Sequence, residues 1–496
     1  MPEPVPWRQM VGPSIILAGL ALGSGEFIFW PYLTYKTGFV FFWACLLGVC
    51  TQFFLNMEIV RWTLATGESA ITGFCRLSRH WAWVFLILNT VPWVWPGWAT
   101  GAAEVLSWMV FGPVEQMTPD GISYEARYVP FIAVAGLWLV GIVLTSGPVV
   151  YNTVERIQFW LVVTIFVIAV LLGVLVIRAS AVSAMLDGVA NIGTMPDPRQ
   201  TGVSLMTLLG ALAFAGAGGT MNLGQSNYIK DKGFGMGRYI GRITSPVTGQ
   251  EEAVAEVGFH FKHTPENMRR WWAWWKAANI EHFTSFFCTC IVCLVLLALI
   301  SYSLFYTDDH VWKPGAEKYG KDMDFVWGEA TLLEQHFASA AVGSAMKTLF
   351  FVMGIALLVI TEFGVLDATA RISTDIVKVN YLRGNDRWSA SKVYFCFLWG
   401  EILVGSLILV LGAVIPEFTQ PGFLLMTSAA MNGGVMFLYS LLLLYMNTKI
   451  LSRSLSINAW RFVAVVWSCA FFGYFTMQAF RLELLPGLAR LFSSAP

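Results

Sequence analysis

From Ile157 to Ile177 the chain runs without a charged side chain, and it does so again from Thr284 to Tyr306. Coiled as helices, such runs match the apolar core of a bilayer, which takes about 20 residues to cross. Eleven segments qualify: 13–35, 40–60, 81–111, 129–147, 157–177, 203–229, 284–306, 345–366, 393–415, 422–446 and 459–480. Composition agrees, with 56% hydrophobic and 12% charged residues, against about 25% charged in a soluble domain. Intrinsic disorder is excluded by that apolar content. Lys plus Arg and Asp plus Glu are both 31, so no basic excess is available to neutralise nucleic-acid phosphates. Eight cysteines in 496 residues do not make a disulfide scaffold. The alternating strands of a membrane barrel are not seen. Met1 to Met10 holds one arginine and no small-residue cleavage site, so the first span is expected to be retained.

The basic residues orient the spans, because cytoplasmic loops carry the excess of Lys and Arg. With the N-terminus inside, 21 of the 31 fall on the cytoplasmic side and 10 outside. Eleven spans then put the C-terminus outside. The expected location is the cell membrane, with the lipid bilayer and a small ion or solute as partners and no nucleic acid. Two loops are long. In 230–280, Thr264-Pro265-Glu266 reads as an N-cap, first-turn proline and first-turn acid. It opens a short helix with Arg269, Arg270, Trp271, Trp272, Trp274 and Trp275, read as an interfacial anchor. The acidic loop 307–340, with Asp308, Asp309, Glu317, Asp322, Asp324, Glu329 and Glu334, reads as solvated.

Glycine clusters interrupt two spans. One is Gly23-Ser24-Gly25-Glu26 in the first; the other is Gly216-Ala217-Gly218-Gly219-Thr220-Met221-Asn222 in the sixth. Glycine weakens a helix by about 1 kcal/mol relative to alanine. Backbone groups freed inside a membrane need partners, and a bound ion or solute is one. Either cluster alone would serve close helix packing equally well. Two at matching positions, offset by five spans, fit an inverted repeat with a midplane site: a first repeat over about 11–180, a second over about 201–448 and an extra span at about 456–482 of one domain.

Within the spans, Glu26 directly follows the first break, where a carboxylate costs several kcal/mol unless paired, protonated or bound to a cation. Glu104, Glu401 and Glu362 are candidates for a proton or coupling pathway, with helix bracing as the alternative role. Asp367 and Arg371, spaced i,i+4, are expected to pair. Glu58 and Arg61 read as a solvated pair at a membrane edge. Asn222, Gln225 and Asn227 follow the second break, and Asn432 adds an amide from the tenth span. No phosphate loop is present. Cys288, Cys290 and Cys293 lack a zinc spacing and read as small buried hydrophobes. The six histidines read as lying at or outside span ends.

The order of these features resembles the Nramp family of divalent-metal transporters, which have a LeuT-like fold. The resemblance rests on Gly12-Pro13, on Gly23-Ser24-Gly25-Glu26-Phe27 in place of the family's Asp-Pro-Gly-Asn-Phe, and on Ala103-Glu104-Val105. Tyr151 to Arg156, Asn222-Leu223 and Thr374-Asp375-Ile376-Val377 add to it. It implies an all-α membrane protein of eleven transmembrane helices, an inverted five-plus-five repeat plus one, with spans 1 and 6 unwound. The family's metal-binding Asp falls on Gly23 and its Asn on Glu26. Its Met and nearby His fall on Gly219 and Met221, and the Asp before the third-span Glu becomes Gly101. Losing a thioether removes a preference for softer metals. A site of Glu26, Asn222 and carbonyls around Gly23, Ser24, Gly25, Gly218, Gly219 and Thr220, flanked by Met221, Gln225 and Asn432, suits a hard cation such as Mg²⁺ or Mn²⁺. The expected function is secondary active transport of such a cation, with no resident cofactor and no enzymatic activity. The alternative is a proton- or sodium-coupled symporter of an amino acid or another small organic solute.

Overall fold

The computed structural model describes residues 1–6, 9–118, 121–320, 322–415 and 421–485, without the side chains of Ser24, Thr118, Glu483, Leu484 and residues 421–429. Arg8, Lys321 and Arg490 of the charge count lie outside the described residues. Among those described, nine helices are long and apolar enough to cross a membrane. They are Pro13–Thr37, Phe42–Thr66, Val129–Ser146, Val150–Val176, Pro265–Phe305, Ala340–Asn380, Ala390–Val414, Ala430–Ile450 and Ala459–Leu482. They correspond to spans 1, 2, 4, 5 and 7 to 11. Spans 3 and 6 are each built from two shorter helices. The protein is therefore a multi-pass, all-α membrane protein. Its one described sheet is a hairpin, β1 (Val114–Thr118) on β2 (Gly121–Glu125), between spans 3 and 4. Spans 4, 5, 9 and 11 expose many large apolar side chains, among them Leu139, Val174, Leu407 and Val463, a surface suited to acyl chains.

The interruptions differ from the expected pair. Span 6 is opened as expected: Leu205–Ala213 and Met221–Lys232 are helical, and 214–220 between them is not. Gly218 (φ 74°) and Gly219 (φ 48°) take left-handed conformations there, which only glycine adopts at little cost. Span 1 is not unwound. Leu22–Phe29 continues the helix as a wider π-turn. Its glycines serve close approach instead: a Cβ on Gly25 would lie 1.5 Å from the Phe214 carbonyl oxygen, and one on Gly23 would lie 2.1 Å from that of Leu357. Span 3 is interrupted where no break was expected, between His80–Thr90 and Gly97–Phe111. The connection contains Pro92 and Pro96, which lack an N–H and disfavour helix at the preceding residue.

Span 7 also corrects the reading. The short helix of the 230–280 loop and the span after it form one 41-residue run, Pro265–Phe305, through a π-turn at Phe283–Cys288. Thr264 caps it by accepting from the Asn267 N–H, as its sequence indicated. Three of its four indoles do not anchor at an interface: Trp271, Trp274 and Trp275 are buried, and Trp274 donates to the Pro2 carbonyl at 3.0 Å, while Trp272 is exposed. His282 lies inside this run and is 0% exposed. Glu58 and Arg61, read as solvated, are both buried and paired at 2.6 Å. They are desolvated because Arg461 and Asn447 close over them. The acidic loop is packed only in part: Asp324–His336 is a helix in which Asp324 and Glu329 are buried, while Asp308, Asp309, Glu317 and Asp322 are exposed as expected.

Span 8 runs through the middle, against spans 1, 3, 5, 6 and 9. Glu362 lies near the middle of its helix, Ala340–Asn380. Asp367 and Arg371 pair as expected, at 2.8 Å, and Arg371 also reaches Asp231 of span 6. Asp231, Asp367 and Arg371 are all buried. Together with Lys230–Asp375 (3.0 Å), these pairs join spans 6 and 8 toward the face carrying the N-terminus. The segment between spans 6 and 7 lies across that face. There the Lys378 ammonium, 2.8 Å away, holds the Glu256 carboxyl below its usual value.

If Gly25 is where spans 1 and 6 touch, Gly25→Ala cannot be accommodated without backbone movement. Overpacking of this kind costs about 1–3 kcal/mol. The unfolding midpoint of the purified protein in detergent should fall; an unchanged midpoint would show that the two spans are not in contact at this glycine.

Candidate functional site

The wide turn of span 1 carries Gly23, Ser24, Gly25 and Glu26. The Gly23 N–H is directed out of the helix and donates to Thr361 Oγ1 of span 8 at 3.0 Å. A π-turn inserted in an α-helix often marks a functional position. Glu26 is 0% exposed, and no hydrogen bond of ordinary geometry reaches either carboxylate oxygen. The Cys290 thiol of span 7 faces it, with Cys293 and, from span 2, Cys45 in its electrostatic reach. Cys290 and Cys293 are buried in an apolar setting, as their sequence context indicated.

The opened part of span 6 is occupied by a residue that sequence reasoning missed. Gln52 of span 2 is 0% exposed. Its Nε2 donates to the Ala213 carbonyl at 2.8 Å and the Leu212 carbonyl at 3.4 Å, at the end of the first half-helix. Its Oε1 accepts from the Gly218 N–H at 3.4 Å and from Asn222 Nδ2 at 3.1 Å. One amide thus bridges both sides of the opening. Asn222 Nδ2 also donates to the Tyr439 hydroxyl of span 10 at 3.0 Å, while its Oδ1 has no partner. Thr220 Oγ1 accepts from Trp93 Nε1, in the break of span 3, at 2.9 Å. Met221 is buried, and Asn432 packs on the α-carbon of Gly219. A lone Gln within an apolar run was the available signal, since an intramembrane polar side chain is a functional candidate by default.

The remaining candidates are dispersed. Glu362 Oε2 accepts from the Ala99 N–H at 3.2 Å, capping the second half of span 3 where a negative charge meets the positive end of a helix. Glu401 accepts from Thr369 Oγ1. Glu104 is half-buried, close to Asp322 and Asp324 of the packed acidic segment. Gln225 donates to Ser14 Oγ at 3.0 Å. Glu26 and Asn222 face different neighbours, thiols in one case and Gln52 with Tyr439 in the other. Among the described residues no three His, Cys, Asp or Glu side chains are grouped to hold a metal ion.

No protein-family model matches the sequence, and no curated protein is similar to it at a meaningful level. Solved structures are similar in fold. This chain folds like a manganese transporter. A structure of the Eremococcus coleocola manganese transporter with an aromatic bis-isothiourea substituted compound superposes with a TM-score of 0.67 at 13% identity. A histidine-to-alanine mutant of the same transporter gives 0.65 at 12% identity. Each superposition covers 100% of this chain and 91% of the other. The likeness establishes an Nramp-like fold.

Replacing Gln52 by leucine keeps its bulk and removes every bond across the opening. Each buried polar group left without a partner costs about 1–3 kcal/mol. Gln52→Leu should therefore lower the unfolding midpoint well beyond Cys50→Ser, one turn-face away on the same helix. Equal midpoints would remove Gln52 from the account.

Proposed function

We propose that the protein is a secondary active transporter that moves a cation, a divalent metal such as Mg²⁺ or Mn²⁺, across the cell membrane by alternating access. In this reading the N-terminus is cytoplasmic and the C-terminus outside. Spans 1–5 and 6–10 are the two inverted repeats, and spans 1 and 6 line the path. The observation that carries the reading is Glu26, a fully buried carboxylate with neutral thiols and no countercharge beside it, in the wide turn that packs on the opened backbone of span 6. Ionised, it needs a counter-charge from somewhere, and a passing cation supplies one. Two further facts support the choice of cargo. The similar structures are those of a manganese transporter, and the opening offers amide and carbonyl oxygens, ligands that hard divalent cations accept.

Glu26 is assigned the charge-bearing contact, and Asn222 Oδ1 with carbonyls near Gly218 the contacts from span 6. They face different partners in the present conformation, so loading an ion requires spans 1 and 6 to move relative to spans 2 and 7. Release of Gln52 from the Leu212 and Ala213 carbonyls would be part of that movement. Glu104, Glu362 and Glu401 are left as candidates for coupling. Glu362 and Glu401 brace helices in this conformation.

Glu26→Gln keeps the shape of the side chain and removes its charge. Uptake of Mn²⁺ and Mg²⁺ into proteoliposomes, and binding of both to the purified protein, should be lost while the unfolding midpoint is kept. Full retention of uptake and binding would overturn the assignment. Uptake of an amino acid driven by a proton or sodium gradient, with no cation cargo, would replace the reading with that of a solute symporter.

A further inference from the structure

A second polar cluster lies apart from Glu26, where spans 1, 6 and 7 meet. Its hub is Ser14 Oγ, in the first turn of span 1. It contacts three side chains: Glu281 Oε2, His282 Nδ1 at 2.9 Å and Gln225 Nε2 at 3.0 Å. All four residues are 0% exposed. Glu281 Oε1 further accepts from the backbone N–H groups of Ser14 at 3.0 Å and Gly12 at 3.3 Å, so the carboxylate caps span 1. His282 is stacked on Phe286 (4.7 Å between centroids, 6°) and on Phe53 (5.4 Å, 20°). Its Nε2 is buried with no partner.

Counting hydrogens restricts what this cluster can be. Gln225 Nε2 can only donate to Ser14. The single hydroxyl proton of Ser14 goes either to Glu281 or to His282. In one arrangement Ser14 donates to an ionised Glu281, His282 donates from Nδ1 to Ser14, and Nε2 is a bare lone pair. That arrangement carries one net negative charge away from water. Adding one proton neutralises it by either of two routes. The proton binds Nε2, giving an imidazolium between two phenyl faces, a setting that favours cations, bridged by Ser14 to the carboxylate. Otherwise it binds Glu281, which then donates to Ser14 while Ser14 donates to Nδ1 and His282 carries its hydrogen on Nε2. The chain Glu281–Ser14–His282 can pass one proton between these forms, and the two residues titrate as a pair rather than singly.

The surrounding charges leave the pair distinct. Lys232 of span 6 is engaged by Glu155 of span 5 at 2.6 Å, and Arg461 of span 11 by Glu58 at 3.4 Å. Asp231 of span 6 is engaged by Arg371. The Tyr151 hydroxyl and the Glu155 carboxylate lie against Gly12, on the outer side of the N–H that Glu281 accepts. Glu155 is partly exposed.

We propose that Glu281, Ser14 and His282 form a proton-binding site that takes up one proton as a unit, and that its proton is the coupling ion of the transporter proposed above. The coupling half of this statement rests on that reading. The binding half does not. Proton uptake by the purified chain in nanodiscs, with no transported ion present, should include a step between about pH 8 and pH 5. Glu281→Gln should take up one proton fewer than the wild type over that range. His282→Gln, which keeps an amide donor toward Ser14, should move the step, and serves if the Glu281 variant does not fold. Profiles that superimpose on the wild type would overturn the site. In proteoliposomes a pH gradient should stimulate cation uptake by the wild type and not by Glu281→Gln; equal stimulation would overturn the coupling. Should the wild type carry neither Mn²⁺ nor Mg²⁺, the transport reading fails, and the proton step in the ion-free protein still decides the site.

Discussion

A helix opened in an apolar interior must have its backbone groups satisfied by something other than water, and the organisation around span 6 follows from that demand. Residues 214–220 are not helical. The first half-helix ends on carbonyls that need donors, and the second begins with N–H groups that need acceptors. A single amide, Gln52, serves both sides. Asn222 joins it and ties in span 10 through Tyr439, while Thr220 ties in span 3 through Trp93. Around this opening sit the close approaches that only glycine permits, Gly25 on Phe214 and Gly219 on Asn432. The opening is thus the point at which spans 1, 2, 3, 6 and 10 are held in register. Gln52 meets a requirement that an ion could also meet, and the proposed function has the cargo take over part of it.

The buried charges are arranged in two ways. Toward the face carrying the N-terminus they are fully paired: Arg371 between Asp367 and Asp231, Lys230 with Asp375, and Arg61 and Arg461 on Glu58. Breaking such a pair leaves an uncompensated charge and costs about 3–5 kcal/mol, so this layer is a coherent barrier. By contrast, Glu26 has no countercharge, and Glu281 is met only by neutral donors and a helix N-terminus. Paired charges hold the fold; at Glu26 and Glu281, which like Glu329, Glu362 and Glu401 have no ion-pair partner among the described residues, an added cation or proton has something to neutralise.

Much of the architecture was legible because its cause is local. Apolar runs of bilayer length located the spans, with spans 3 and 6 as the ones that are divided. The Gly218-Gly219 pair marked the opened segment, and the i,i+4 spacing of Asp367 and Arg371 gave their pairing. What was not legible depends on partners distant in sequence. The Gly23-Ser24-Gly25 cluster looked like a break, yet those glycines admit Phe214 and Leu357 rather than loosen the helix. The Arg- and Trp-rich helix looked interfacial, but Pro2, Phe234, Arg61 and Arg461 cover Trp274 and Trp275. Gln52 and the Glu281–Ser14–His282 cluster carry no motif; only the meeting of three or four spans gives them a role. The Pro92–Pro96 interruption of span 3 was visible in principle from its prolines and was masked by the apolar residues between them.

The central claim is that the wide turn of span 1 and the opening of span 6 form one ion-responsive unit. Amide hydrogen exchange of the protein in nanodiscs, with and without Mn²⁺ or Mg²⁺, tests it most directly, because it needs no assumption about direction of transport. The account predicts that the cation changes exchange in residues 22–29 and 210–222 together and leaves spans 4 and 11 unaffected. Identical exchange in both segments at every cation concentration, in a protein shown to be folded, would contradict it.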